Sequence, residues 1–139
     1  MNRNACVIGY GTVGMATALT FGIEKYFSRS WANITLEEVN KCRYIFICLP
    51  TPTIDKRCFT DDIYGILKQL STMPRYIDNI YIMRSTVYPG FGKYVEDSLG
   101  IDQYVSNPEF LSDVTWERDA RHPDIIVIGC DNPKYGQIL

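Results

Sequence analysis

The 139-residue sequence is poor in the residue types that would mark several common functions. It has one histidine, His122, and no cluster of His, Cys, Asp or Glu at metal-ligand spacing, so a metal site is not expected. Its five cysteines, at 6, 42, 48, 58 and 130, form no C-x-x-C pair, and an odd count does not suit a closed disulfide framework. Cationic surplus is missing as well. Fourteen basic residues stand against sixteen acidic ones, a net charge of −2, which gives no field for nucleic acid and no polybasic membrane patch. The opening apolar run breaks at Gly9, too short for a signal peptide or membrane span. These absences leave a reduced, cytoplasmic protein as the simplest expectation.

What is present suits a folded domain. Hydrophobic residues make up 46% and charged residues 22%, unlike a disordered chain. The length fits one domain, residues 1–139, since domains commonly run to roughly 100–200 residues. No repeat, low-complexity tract or linker divides it. Apolar runs at 5–8, 44–49, 80–83 and 125–128 are continuous rather than alternating, as in parallel strands covered on both faces. Residues 103–106 form a weaker strand candidate. Helical spacing or capping signals mark 12–26, the start at Thr35, 62–70, 91–99 and 133–139. Strand–helix alternation with short connections predicts an α/β fold with an open, mainly parallel sheet and helices on both faces.

Gly9-Tyr10-Gly11-Thr12-Val13-Gly14 places G-x-G-x-x-G between the first strand and the first helix. Gly9 suits the tight turn, Gly11 the approach of a pyrophosphate, and Gly14 close helix–strand packing, the logic of a Rossmann-like dinucleotide site. Backbone amides and the helix dipole favour phosphate there. One part of the fingerprint is lacking. An acid about 20 residues further on ordinarily holds the adenine ribose, whereas residues 28–33 read Ser-Arg-Ser-Trp-Ala-Asn. Ser28 or Asn33 offers weaker hydrogen bonds, and Arg29 either favours a 2′-phosphate or is a solvated charge. NAD is the expected cofactor, with NADP left open.

Three further stretches carry a resemblance. Phe46 to Pro52 ends in Cys48-Leu49-Pro50-Thr51-Pro52, Arg84 to Gly90 contains Ser85-Thr86-Val87, and Ser106 to Leu111 contains Asn107-Pro108-Glu109-Phe110-Leu111. With the glycine loop, in this order, they resemble the UDP-glucose/GDP-mannose dehydrogenase family over nearly the whole chain. The resemblance implies cofactor contacts at Gly9, Gly11, Thr12, Val13, Gly14, Pro50, Thr51, Pro52, Ser85 and Thr86. It also implies Glu109 and Thr86 as the pair that positions a water for acid–base work, with Phe110 and Leu111 lining the approach of a UDP-sugar. The alternative reading of Glu109, taken by itself, is a carboxylate at a helix start.

The departures from the family are specific. Ser112-Asp113-Val114 stands where a basic residue, Glu and Gly are usual, Ile125 where Arg is common, and His122 where Asn is common. The second strand–helix unit is shortened, with 27–31 offering only an abbreviated strand. The family's central helix, its sugar-nucleotide domain and its G-G-x-C-x-P-K-D thiol segment have no counterpart in these residues. Oxidation of a UDP-sugar to the acid is therefore not expected of this chain alone. The leading expectation is an NAD-binding domain. Alternatives are a single-step NAD(P)-dependent dehydrogenase with Glu109 as base, or a non-catalytic interaction protein. A face left without its usual neighbour would favour a homo-oligomer or a partner chain.

Overall fold

The computed structural model describes residues 4–74 and 78–137. Its main sheet contains strands β1 (Ala5–Ile8), β2 (Tyr26–Phe27), β3 (Tyr44–Ile47), β6 (Ile80–Met83) and β7 (Tyr104–Ser106). They lie in the order β2-β1-β3-β6-β7, with all neighbouring pairs parallel. Each central strand sends alternate side chains into two separate cores. Cys6, Ile8, Ile45, Ile47, Tyr81 and Met83 enter one. Ala5, Val7, Phe46, Ile80 and Ile82 enter the other. That division is why the runs are continuously apolar: pleating gives each face half of every strand.

Helices α3 (Asp61–Thr72) and α4 (Phe91–Leu99) contribute Ile63, Leu67, Leu70, Phe91 and Val95 to the first core. On the opposite face α1 (Thr12–Phe21) contributes Ala18, and α6 (Pro133–Gly136) contributes Tyr135. The expected α/β architecture is present, including the reduced second unit, where β2 has two residues and α2 (Leu36–Val39) has four. The capping box at α2 forms: Thr35 Oγ1 accepts from the Glu38 amide at 3.3 Å, and Glu38 Oε2 accepts from the Thr35 amide at 2.8 Å.

Several boundaries differ from expectation for local reasons. α1 stops at Phe21 rather than near Tyr26 because Gly22 adopts a left-handed conformation, which closes the helix. The following residues turn into β2. A short antiparallel hairpin, β4 (Thr53–Ile54) with β5 (Arg57–Cys58), went unforeseen. Its turn residues Asp55 and Lys56 have φ of 48° and 62°, a conformation that glycine or asparagine would have advertised. α5 (Trp116–Arg121) was also unforeseen; it sits against α1, with Thr20 Oγ1 donating to Ala120 O at 2.8 Å. Residues 138–139 of the expected last helix lie outside the described residues.

The largest difference concerns 125–128. Instead of a covered parallel strand, this run borders the sheet beyond β7 through an isolated antiparallel bridge between Ser106 and Gly129. Among the described residues it is only partly covered, and its four apolar side chains are 61%, 67%, 42% and 37% exposed.

Candidate dinucleotide-binding cleft

β1, β3, β6 and β7 all end at one rim, and the expected site segments follow those ends. Between β1 and β3 the direction of strand succession reverses, the place where open α/β sheets form ligand crevices. A cleft of about 730 Å³ opens there, within the usual ligand-pocket range of roughly 300–1,000 Å³.

The glycine loop forms its floor. Gly9 has φ +87°, and a Cβ on it would lie 2.5 Å from the Cys48 carbonyl oxygen, so only glycine serves at this crossing of β1 and β3. A Cβ on Gly14 would drive into the Gly9 carbonyl, so helix and loop pack directly against one another. Gly11 is different. A Cβ there would meet nothing within 4 Å, and its φ of −83° is open to any residue. Gly11 is the N-cap of α1, with no side-chain cap and no acidic residue in the first turn. The first helical bond runs from Met15 N to Gly11 O at 2.8 Å. Opening amides of a helix have no intrahelical acceptor, so those of Thr12 and Val13, which line the cleft, are available to an anion.

Pro50 and Thr51 line the opposite wall; Pro52 does not, and its carbonyl accepts from Phe59 N at 2.9 Å. Ser85 lines the cleft but spends its hydroxyl proton on Leu49 O at 2.7 Å, tying the exit of β6 to that of β3. Thr86 also lines the cleft and is exposed. Glu109 reaches the same space, half-buried, and its Oε2 accepts from Leu111 N at 2.7 Å. That bond fixes the carboxylate against its own loop. Phe110 is 61% exposed and Leu111 half-buried, and neither lines the cleft. Ser112-Asp113-Val114 lies exposed beyond them.

Beneath the rim lies a polar network that single-sequence reading did not pick out. Arg84 Nη1 donates to Asn107 Oδ1 at 2.7 Å, and Nε donates to Thr17 Oγ1 at 3.2 Å. Asn107 Nδ2 donates to Val127 O at 2.8 Å, and the Cys48 thiol points to Thr17 Oγ1 at 3.6 Å. Burial pushes the Cys48 thiol up to about 12 and lowers the Arg84 guanidinium from its ordinary value, with the charge of Glu109 acting the other way on Arg84. Arg84 thus joins α1, β6 and the Asn107–Glu109 loop. Nothing in its sequence neighbourhood distinguishes it from a solvated arginine.

At the outer end, Phe27, Ser28 and Arg29 line the cleft, faced by Asp61 and Asp62 from the first turn of α3. Arg29 Nη2 and Asp62 Oδ1 are 2.9 Å apart, an exposed pair that adds little stability. Asn33 is committed elsewhere: Oδ1 accepts from Tyr26 N at 2.8 Å and Nδ2 donates to Glu24 O at 2.7 Å.

The sequence profile of the UDP-glucose/GDP-mannose dehydrogenase family, NAD binding domain, matches residues 27–139. Protein CapL of Staphylococcus aureus is 32% identical across 65% of this chain, which spans 28% of CapL. The fold is similar to that of a GDP-mannose dehydrogenase from Pseudomonas aeruginosa, with TM-score 0.75 and 19% identity, over 98% of this chain and 43% of that one. A UDP-D-ManNAc dehydrogenase from Pyrococcus horikoshii gives TM-score 0.76 and 16% identity, over 96% and 42%. The chain therefore spans under half the length of each of these three relatives. On the profile match together with the strand-end motifs, the chain belongs to the UDP-glucose/GDP-mannose dehydrogenase family, as its NAD binding domain.

Proposed function

We propose that residues 1–139 act as one dinucleotide-binding unit, with the pyrophosphate of NAD received by the amides at the start of α1. The uncapped, acid-free helix start beside the open Gly11 carries this reading. The residues fit the cofactor: Gly9 and Gly14 have the contacts that force glycine, and Gly11 leaves the space a diphosphate needs. Pro50 and Thr51 bound the nicotinamide half, with Ser85 and Thr86 offering hydroxyl oxygens as acceptors for the ribose.

Bound nicotinamide supplies hydride acceptance from an alcohol carbon. For that chemistry Glu109 and Thr86 reach the cofactor's cleft from separate strand ends, the placement a base and a water-orienting hydroxyl need. A UDP-sugar is the proposed substrate class. Its pocket, and the thiol for a second oxidation, would come from polypeptide outside these residues. Phe110 and Leu111 stand away from the cleft and are proposed to line the approach of the substrate; Pro52 also stands away from the cleft. Five unpaired thiols suit the reducing cytoplasm. No described helix is long and apolar enough to cross a membrane.

NADH titration by fluorescence or calorimetry tests the reading. Saturable binding is expected, and Gly11→Val, whose backbone accepts a side chain, is expected to stay folded, with only the modest loss of stability a poorer N-cap brings, while losing about tenfold or more in affinity. Absence of wild-type binding at millimolar NADH, or undiminished binding by G11V, would sink it. The exposed 125–128 run supports a second reading, as a subunit that associates with a copy of itself or a partner chain. Sedimentation as a clean monomer would count against that.

A further inference from the structure

We infer that the outer end of the cleft accepts a ribose 2′-phosphate, so that the domain takes NADP(H) as well as NAD(H). This rests on the dinucleotide reading of the cleft and adds a specificity to it. In such folds the residues after the second strand face the adenosine ribose; a carboxylate there takes the hydroxyls and repels a 2′-phosphate, while an arginine accommodates one. After β2 this chain has Ser28 and Arg29 on the cleft wall and no carboxylate through Asn33.

The loop is held in that position rather than trailing. Asn33 bonds back to Tyr26 and Glu24 through its side chain, and its amide donates to Tyr26 O at 3.1 Å. Ser28 and Arg29 are thereby kept beside the glycine loop, and Asn33 is removed as a ribose partner. The Arg29 side chain is 85% exposed, and its recorded partner is Asp62, bound through Nη2 alone. The rest of the guanidinium fork is open. Asp62 places an anion on the guanidinium at the mouth of the cleft, in the role a phosphate would take.

Asp61 and Asp62 also set the limit on this site. Both line the cleft and oppose a further negative group. An exposed carboxylate–arginine pair is weak, however, and a phosphate engages guanidinium through paired charge-assisted bonds. The 2′-phosphate displaces Asp62 from Arg29, with the Ser28 hydroxyl as a further donor. Acceptance of both cofactors, rather than exclusion of NAD, is the consequence.

The test is parallel titration of wild type, Arg29→Ala and Asp62→Asn with NADH and NADPH by fluorescence, with melting curves for each. For wild type the NADPH-to-NADH ratio of Kd values is expected at or below about 3, rising about tenfold or more in R29A and falling in D62N. A wild-type ratio above about 10, or a ratio unmoved by R29A, overturns the inference while leaving NAD binding intact. Failure of wild type to bind either cofactor overturns the assignment of the cleft itself, and this inference with it.

Discussion

The runs Ile80–Met83 and 125–128 are both four consecutive apolar residues that read as strands, yet the structure treats them in opposite ways. β6 lies between β3 and β7, and every one of its side chains is at most 1% exposed. The later run is held by one bridge at Gly129 and by the Asn107 bond to Val127 O, with every side chain more than a third exposed. An apolar run reports that a segment can be buried. Position in the sheet decides whether it is, because burial needs neighbours on both faces.

The sharpest way to break that contrast is to truncate both runs. Ile82→Ala should cost about 2–5 kcal/mol in urea unfolding, since it opens a cavity in the core on the α1 face of the sheet. A cost under about 1 kcal/mol would mean that β6 is not the packed centre the contrast requires. The alkaline limb of stability probes the same interior at lower cost. The folded Cys48 thiol holds its proton up to about 12, against an ordinary value of 9.0. The folded state therefore binds more protons across that interval, and this contribution is intact below about 9 and lost as pH rises toward about 12. Cys48→Ala should flatten the limb; an unchanged slope would place the thiol in water. The smallest effect is expected at the edge. Ile126→Ser should shift the unfolding free energy by no more than about 0.5 kcal/mol. A loss approaching that of I82A would show the edge to be covered, as by a second copy or a partner chain.

How much was legible depended on how local each cause is. The glycine loop was readable because each glycine answers a steric demand within a few residues, as at Gly9 and Gly14. The Thr35 capping box was readable for the same reason. The β4–β5 hairpin was not, because Asp55 and Lys56 adopt positive φ without the glycine that usually signals it. The role of Arg84 is not legible locally, since its partners Thr17 and Asn107 lie 67 and 23 residues away. Arg29 has two possible roles in the sequence, and the fold sets it on the cleft wall against Asp62. Placing Glu109 beside the cleft, and Phe110 outside it, likewise needed the path of the chain after β7.

By itself the sequence determined the parallel α/β class, the order of the strand-end segments and the glycine-led start of α1. Each follows from side-chain size, period and backbone freedom over short spans. Only the tertiary structure decided which apolar run is interior, which polar groups share a bond and which loop residues face the cleft. Those outcomes depend on contacts between distant segments, and no local rule of spacing contains them.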